Sequence, residues 1–258
     1  MFLFKYCRPD LITIIENLKI RFSPPSVFNG PFDGISDTAV KENRKWVEMI
    51  AREMGFEWPL MKEAIRAACQ DERGKAVMVR IQKRILNESL RILCLSRVPP
   101  DDPNALLLWG HYATKEYGHD GFVIELDEFH PWIAKHRQNL EKYDAGDVDY
   151  REQRATWHGL EPERDTYFTK SRHWKYEKEY RLVRRADDPD LDKSPTDALA
   201  PFEPGILKSI TLGDGASPET EDKLKQIVRG NPALAGLKLR RAEIHEDKYQ
   251  LRLREIRV

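Results

Sequence analysis

The stretch from Leu106 to Asp127, LLLWGHYATKEYGHDGFVIELD, changes character halfway along. LLLWGHYA reads as a short helix that Asn104 or Asp102 can start, while Gly118 and Gly121 end it and introduce GFVIELD as a strand. Neighbouring helical residues diverge by about 100°, so Trp109 and Tyr112, three apart, share a face while His111 points elsewhere. One short helix can thereby feed both a core and a cleft.

Outward from this segment, the same change of period recurs. FLFKY at Phe2–Tyr6 suits a strand, Asp10 is placed to cap LITIIENLK as a helix, and KIRFS at Lys19–Ser23 alternates Ile20 and Phe22 with polar neighbours until Pro24-Pro25 stops it. Thr38 to about Arg91 is mostly helical, with apolar positions such as Val47, Ile50, Ile65, Val77 and Ile81 that need a partner, so a helical insertion is expected over 38–90. RILCLS at Arg91–Ser96 reads as a strand entering the middle of a sheet, Pro131 to about Tyr143 as a helix, and Tyr176–Arg185 as a strand. Residues 187–204 hold four prolines and five aspartates and read as a surface excursion. Strand and turn signals at ILKSITLGDGAS, a helix over Pro218–Arg229 and two closing strands around Glu246-Asp247 complete the chain. The order predicts one mixed α+β domain over 1–258: a curved, largely antiparallel sheet, packed helices and the helical insertion.

The chain has 258 residues, 40% of them hydrophobic, enough for a substantial core. Its 43 basic and 43 acidic side chains balance, so net charge supplies no general attraction to nucleic acid or to an anionic membrane. Cys7, Cys69 and Cys94 cannot all pair with one another and form no CxxC or Cys/His grouping, which favours a reducing, cytoplasmic setting. No signal-peptide pattern and no apolar run of membrane-spanning length is read, so no membrane association is expected.

Several residue types carry chemistry. His111 can move a proton or donate a hydrogen bond near neutral pH, or simply anchor its helix; His119 suits an exposed turn. The two histidines lack metal-ligand spacing, and no metal is expected. In SPPSVFNGPFD, Ser23 and Asn29 are small polar groups that Phe28 and Phe32 can hold at a cleft, although an asparagine turn capping its own backbone explains the same residues. If YEKEYRL is a strand, Glu177 and Glu179 lie on one face, where a carboxylate can stabilise positive charge or orient a hydroxyl; the plainer alternative is a salt bridge to Arg181. KSRHWKYEKEYRLVRR, Lys170–Arg185, mixes basic and aromatic residues in a way that suits phosphates and stacked bases, and equally an amphipathic strand with charged stems on its wet side. No dinucleotide fingerprint, phosphate loop or nucleophile elbow is present.

Taken in order, FLFKYCRPD, IRFSPPSVFNGPFD, LCLSRVPPDDPNALLLWGHYATKEYGHDGFVIELD, KSRHWKYEKEYRLV and ILKSITLG resemble the DUF2971 family of bacterial and phage-associated proteins across nearly the whole chain. The matching residues include Lys5, Tyr6, Ser23, Phe28, Asn29, Trp109, His111, Tyr112, Gly121, Glu179, Tyr180 and Arg181. Two positions depart: Cys7 separates Lys5-Tyr6 from Arg8, and Gly30 stands where the family has aspartate. Some family members resemble abortive-infection components, and the strand, helix, strand opening with a later glutamate strand is, more remotely, ADP-ribosyltransferase-like. The family name carries no activity of its own; the ADP-ribosyltransferase-like arrangement implies a nucleotide-directed transferase, most specifically an NAD-dependent ADP-ribosyltransferase acting on a protein or nucleic acid in phage defence, with NAD as substrate. Ser23, His111 and Glu179 would be catalytic, and Lys5, Tyr6, Arg8, Asn29, Tyr112 and Arg181 would bind the nucleotide. The alternative is a non-catalytic regulatory protein whose cleft binds a nucleotide, a nucleic acid or a phage protein.

Overall fold

The central strands are buried on both faces and build the main sheet between two apolar layers. The computed structural model describes residues 1–28, 37–38, 52, 72–116, 118–138, 143–157, 163–193 and 198–258. Its long strands are β1 (Phe2–Cys7), β2 (Leu90–Ser96), β3 (Phe122–Asp127), β4 (Tyr143–Asp147), β5 (Glu179–Arg185), β6 (Leu207–Leu212), β7 (Lys238–Ile244) and β8 (Leu251–Ile256). They form one open sheet in the order β8-β7-β6-β3-β1-β2-β5-β4. Neighbours are antiparallel except β6 and β7, a parallel pair whose crossover is the amphipathic helix Pro218–Gly230. The result is a mixed α+β domain with a largely antiparallel, unclosed sheet.

One face of the sheet buries Leu3, Cys7, Leu95, Ile124, Tyr180 and Leu182 against Ile15, Phe22, Trp132 and Leu224. On the other face Phe4, Tyr6 and Val123 meet Leu108 and Trp109 of the helix Ala105–Tyr112. Trp109 is fully buried, donates its indole N–H to the Pro100 carbonyl at 3.0 Å and meets the Tyr6 ring edge-on at 5.6 Å. The expected core role of Trp109 is thus filled by a side chain with its polar atom satisfied.

Three expectations change. The described parts of the expected excursion at 187–204 join a sheet: Ala198–Pro201 pairs with both Lys19–Phe22 and Asp192–Lys193 in a second, three-stranded sheet. Leu191, Ala198, Ala200 and Phe202 are buried there, so the apolar residues between the prolines and aspartates decide the outcome. The strand expected from Tyr176 begins at Glu179, because Arg172–Glu177 forms a 3-10 turn and Lys178 reverses the chain at φ +41°. The helix expected over residues 131–143 is described over Pro131–Gln138, and Tyr143, its expected end, already belongs to β4. Of the expected insertion at 38–90, the described part carries the helix Glu72–Ser89, with Val77, Ile81 and Leu86 buried; its remainder lies mostly outside the described residues. Among the described residues, no helix is long and apolar enough to cross a membrane.

Gly121 ends the loop between Trp109's helix and β3, and its N–H reaches the Ala113 carbonyl at 2.9 Å. A Cβ there would collide with the backbone carbonyls of Cys7 and Ala113, whereas one at Gly230 would meet nothing within 4 Å. Gly121→Ala should therefore cost about 1–3 kcal/mol in denaturant unfolding, while Gly230→Ala should be neutral within about 0.5 kcal/mol.

Candidate ligand cleft

The central sheet splits between β1 and β2. These neighbours share a single register pair, Phe4 with Ser96. Farther along β2, Ile92 exchanges both backbone hydrogen bonds with Ser23, at 2.8 and 2.9 Å, so the smaller sheet takes over where β1 departs. Cys94 lies midway. Side-to-side backbone direction repeats every second strand residue, so its carbonyl points into the gap, where Lys5 Nζ donates to it at 3.1 Å. A cavity of about 790 Å³ opens at this split. Cys94 and Leu95, whose side chains point to opposite sheet faces, both line it.

Lys5, Tyr6, Arg8, Ser23, His111, Tyr112, Glu179 and Arg181 all line this one cavity. Asn29 lies outside the described residues. The sequence reading did not single out Lys170, Lys19 or Arg21, which line it too. The positions differ in how they are held. Tyr6 turns its hydroxyl to the Val98 carbonyl at 2.9 Å, so it presents ring rather than oxygen. Arg8 is exposed and pairs with Asp10 at 3.1 Å. Ser23 is fixed through its backbone, and its hydroxyl makes no hydrogen bond to any described residue. His111 is exposed, 6.0 Å from the Trp174 ring. His119 is not in the cleft; it stacks on Trp109 at 5.7 Å.

Both glutamates reach the cleft wall, though by a route other than a shared strand face. Lys170 Nζ joins them, at 2.6 Å from Glu177 Oε2 and 3.0 Å from Glu179 Oε2. Arg181 donates to Glu179 through Nε at 2.7 Å and Nη2 at 3.2 Å, and through Nη1 to the Tyr167 carbonyl at 2.6 Å. Phe28 supports the same guanidinium, its ring centroid 5.1 Å away. Tyr112 donates its hydroxyl to Glu177 Oε1 at 2.6 Å. All four charged members are buried.

The two carboxyls are driven in opposite directions. Burial, the largest influence on Glu177, pushes its carboxyl above the usual range despite Lys170 and Tyr112. Burial acts to raise Glu179 as well, but Arg181 and then Lys170 overcome it and hold that carboxyl far below the usual range. Burial followed by Glu177 raises the Tyr112 phenol, which stays a donor. Burial likewise raises the Cys94 thiol, so it is no thiolate near neutral pH. Among the described residues no group of three His, Cys, Asp or Glu side chains gathers as metal ligands would. No protein-family model, curated protein or solved structure matches the chain.

The glutamates should separate in stability measurements. Glu179→Gln removes the anion from a buried pair and should cost about 3–5 kcal/mol near pH 7. A depressed carboxyl stabilises the fold above its unfolded pKa, so this cost should shrink as pH falls below about 4.3. Glu177 has the reverse sign: its raised carboxyl favours the folded state at low pH, so the stability of wild type relative to Glu177→Gln should fall as pH rises. Urea unfolding of both variants between about pH 3 and 7 checks the two slopes.

Proposed function

We propose that the cleft binds a nucleotide, with NAD the first candidate. The observation that carries this reading is Lys5, a half-buried ammonium on the cleft wall. It makes one hydrogen bond, to a carbonyl, and no ion pair with any described residue. A partly desolvated cation without a counter-charge favours an anionic ligand. Its surroundings agree: Lys5, Arg8, Lys19, Arg21, Lys170 and Arg181 line the cleft against two carboxylates, in a chain of zero net charge. Lys170 and Arg181 already neutralise those carboxylates. Phosphate would meet Lys5 and Arg8. Ser23 would bond the ribose, and His111, Tyr112 and Phe28 supply ring surface.

ADP-ribosyl transfer is the second reading, in keeping with the resemblance to DUF2971 and to the ADP-ribosyltransferase arrangement. Glu179 favours it in one respect. A carboxylate held ionised at every working pH is suited to stabilising a developing oxocarbenium ribose, though not to accepting a proton. Against it, both Glu179 oxygens are engaged by Arg181 and Lys170, so binding alone is the better-supported reading.

Titration calorimetry with NAD, ADP and adenosine tests the proposal. NAD and ADP should bind and adenosine should not. Lys5→Ala should weaken ADP at least about tenfold, or about 1.4 kcal/mol, with its melting temperature measured alongside. If neither nucleotide binds, or Lys5→Ala binds them as well as wild type, the reading is wrong. Release of nicotinamide on incubation with NAD and a cell lysate would shift the conclusion from binding to transfer.

A further inference from the structure

Beside the cleft mouth, the turn Arg172–Glu177 divides its side chains between two environments. Glu177 is drawn inward by Lys170 and Tyr112. The outer residues His173, Lys175 and Lys178 are exposed, and none hydrogen-bonds or ion-pairs with a described residue through its side chain. Arg172, also exposed, is occupied by Glu152. Between these cationic positions stand two half-buried rings, Trp174 and Tyr176, with centroids 6.1 Å apart. His111 closes the group at 6.0 Å from Trp174 and 6.4 Å from Tyr176, and it also lines the cleft. Lys178, which ends the turn, holds a left-handed conformation at φ +41° that a non-glycine residue seldom adopts. Its N–H donates to the Lys175 carbonyl at 3.3 Å, and its own carbonyl accepts from the Arg97 N–H at 3.0 Å.

We propose that this turn is a docking surface for single-stranded nucleic acid, the bases stacking on the Trp174, Tyr176 and His111 rings and the phosphates meeting Lys175 and Lys178. Neither half of the surface suffices alone. Unpaired exposed lysines attract any polyanion, and half-buried rings accept a planar group on their open side; alternating along six or seven residues, they match a strand that offers both at every nucleotide. A duplex keeps its bases stacked on one another and can use only the lysines. Because the chain is neutral overall, attraction comes from this face and not from a general field, so binding should be modest and sensitive to salt. The surface meets the cleft at His111, which lines it, and at Lys170, whose ammonium stands 4.9 Å from the Trp174 ring centroid, while Lys175 and Lys178 lie outside the cavity lining.

Fluorescence anisotropy with an end-labelled oligonucleotide of about ten nucleotides, as single-stranded DNA, single-stranded RNA and duplex DNA of one sequence, tests it. At least one single strand should bind more tightly than the duplex and quench tryptophan fluorescence; comparing the two strands assigns the sugar type. Trp174→Ala should weaken binding about tenfold. Lys175→Glu, on an exposed side chain, should leave the melting temperature unchanged, weaken binding, and reduce the slope of log affinity against log salt by about 0.7 or more. The proposal is overturned if neither single strand binds at low salt, if the duplex binds equally well, or if both variants bind as wild type does. Calorimetry with ADP on Lys175→Glu keeps this result separate from the cleft reading.

Discussion

The single register pair between Phe2–Cys7 and Leu90–Ser96 is the constraint on which the cleft depends. Strands that separate expose backbone donors and acceptors, and each must find another partner or face water. Here the separation is bounded on one side by Phe4 with Ser96 and on the other by Ser23 with Ile92, and between them Lys5 takes the carbonyl of Cys94. An element of fold repair thereby becomes an element of the cleft: the carbonyl that needs a donor fixes an ammonium on the cavity wall. The same constraint gives the small second sheet its purpose. Ala198–Pro201 pairs with Lys19–Phe22, and the next residue, Ser23, is delivered to the edge of the large sheet.

Two buried charge clusters show what is particular about the cleft. Away from it, Arg184 is packed among Phe22, Trp132 and Tyr143, pairs with Asp188 at 3.2 Å and donates through Nε to His136 Nε2 at 3.0 Å. His136 is therefore neutral and donates from Nδ1 to the Trp132 carbonyl at 2.9 Å; burial, then Arg184, lowers it to about 3. No member of that cluster lines a cavity described above, and its bonds are all turned on itself. Lys170, Arg181, Glu177 and Glu179 are equally buried yet form the wall of a void. Buried ion pairs seldom stabilise a fold more than apolar residues of the same shape would. Their placement against empty space is better explained by what enters it.

Much of this was legible in the sequence because polar residues interrupt otherwise apolar patterns. Lys5 breaks FLF-YC, Ser23 ends KIRF before two prolines, and Glu179 opens a strand whose later residues are apolar or paired. A polar group at such a position needs a partner across the fold; Ser23, His111 and Glu179, read from the residues, and Lys5, Tyr6, Arg8, Tyr112 and Arg181, implied by the resemblance, line one cavity. What escaped the sequence was conformation that composition does not signal. Lys178 takes a left-handed backbone usually given to glycine or asparagine, so Tyr176–Arg185 looked continuous as a strand. Residues 187–204 looked like loop because their prolines and aspartates outnumber the few apolar residues that are buried. Lys170 escaped because its two carboxylate partners meet only after the chain has reversed between them.

That reversal also bears on whether the cleft can do more than bind. A ligand that draws on the charge of Glu179 must compete with Arg181 and Lys170, which engage both of its oxygens. Releasing it by moving Arg181 would break two hydrogen bonds, from Nε and Nη2. Moving Lys170 would break one, because Lys170 is already 2.6 Å from Glu177 Oε2 and stays paired there when it leaves Glu179 Oε2 at 3.0 Å. The cost is then one charge-assisted hydrogen bond, about 1.5–3 kcal/mol. A cationic centre on the ligand can supply that much by taking the place Lys170 vacates. On the proposed reading Glu177 would be the second seat that makes Glu179 available, and whether the cleft only binds or also reacts would turn on which carboxylate Lys170 occupies once a ligand is in place.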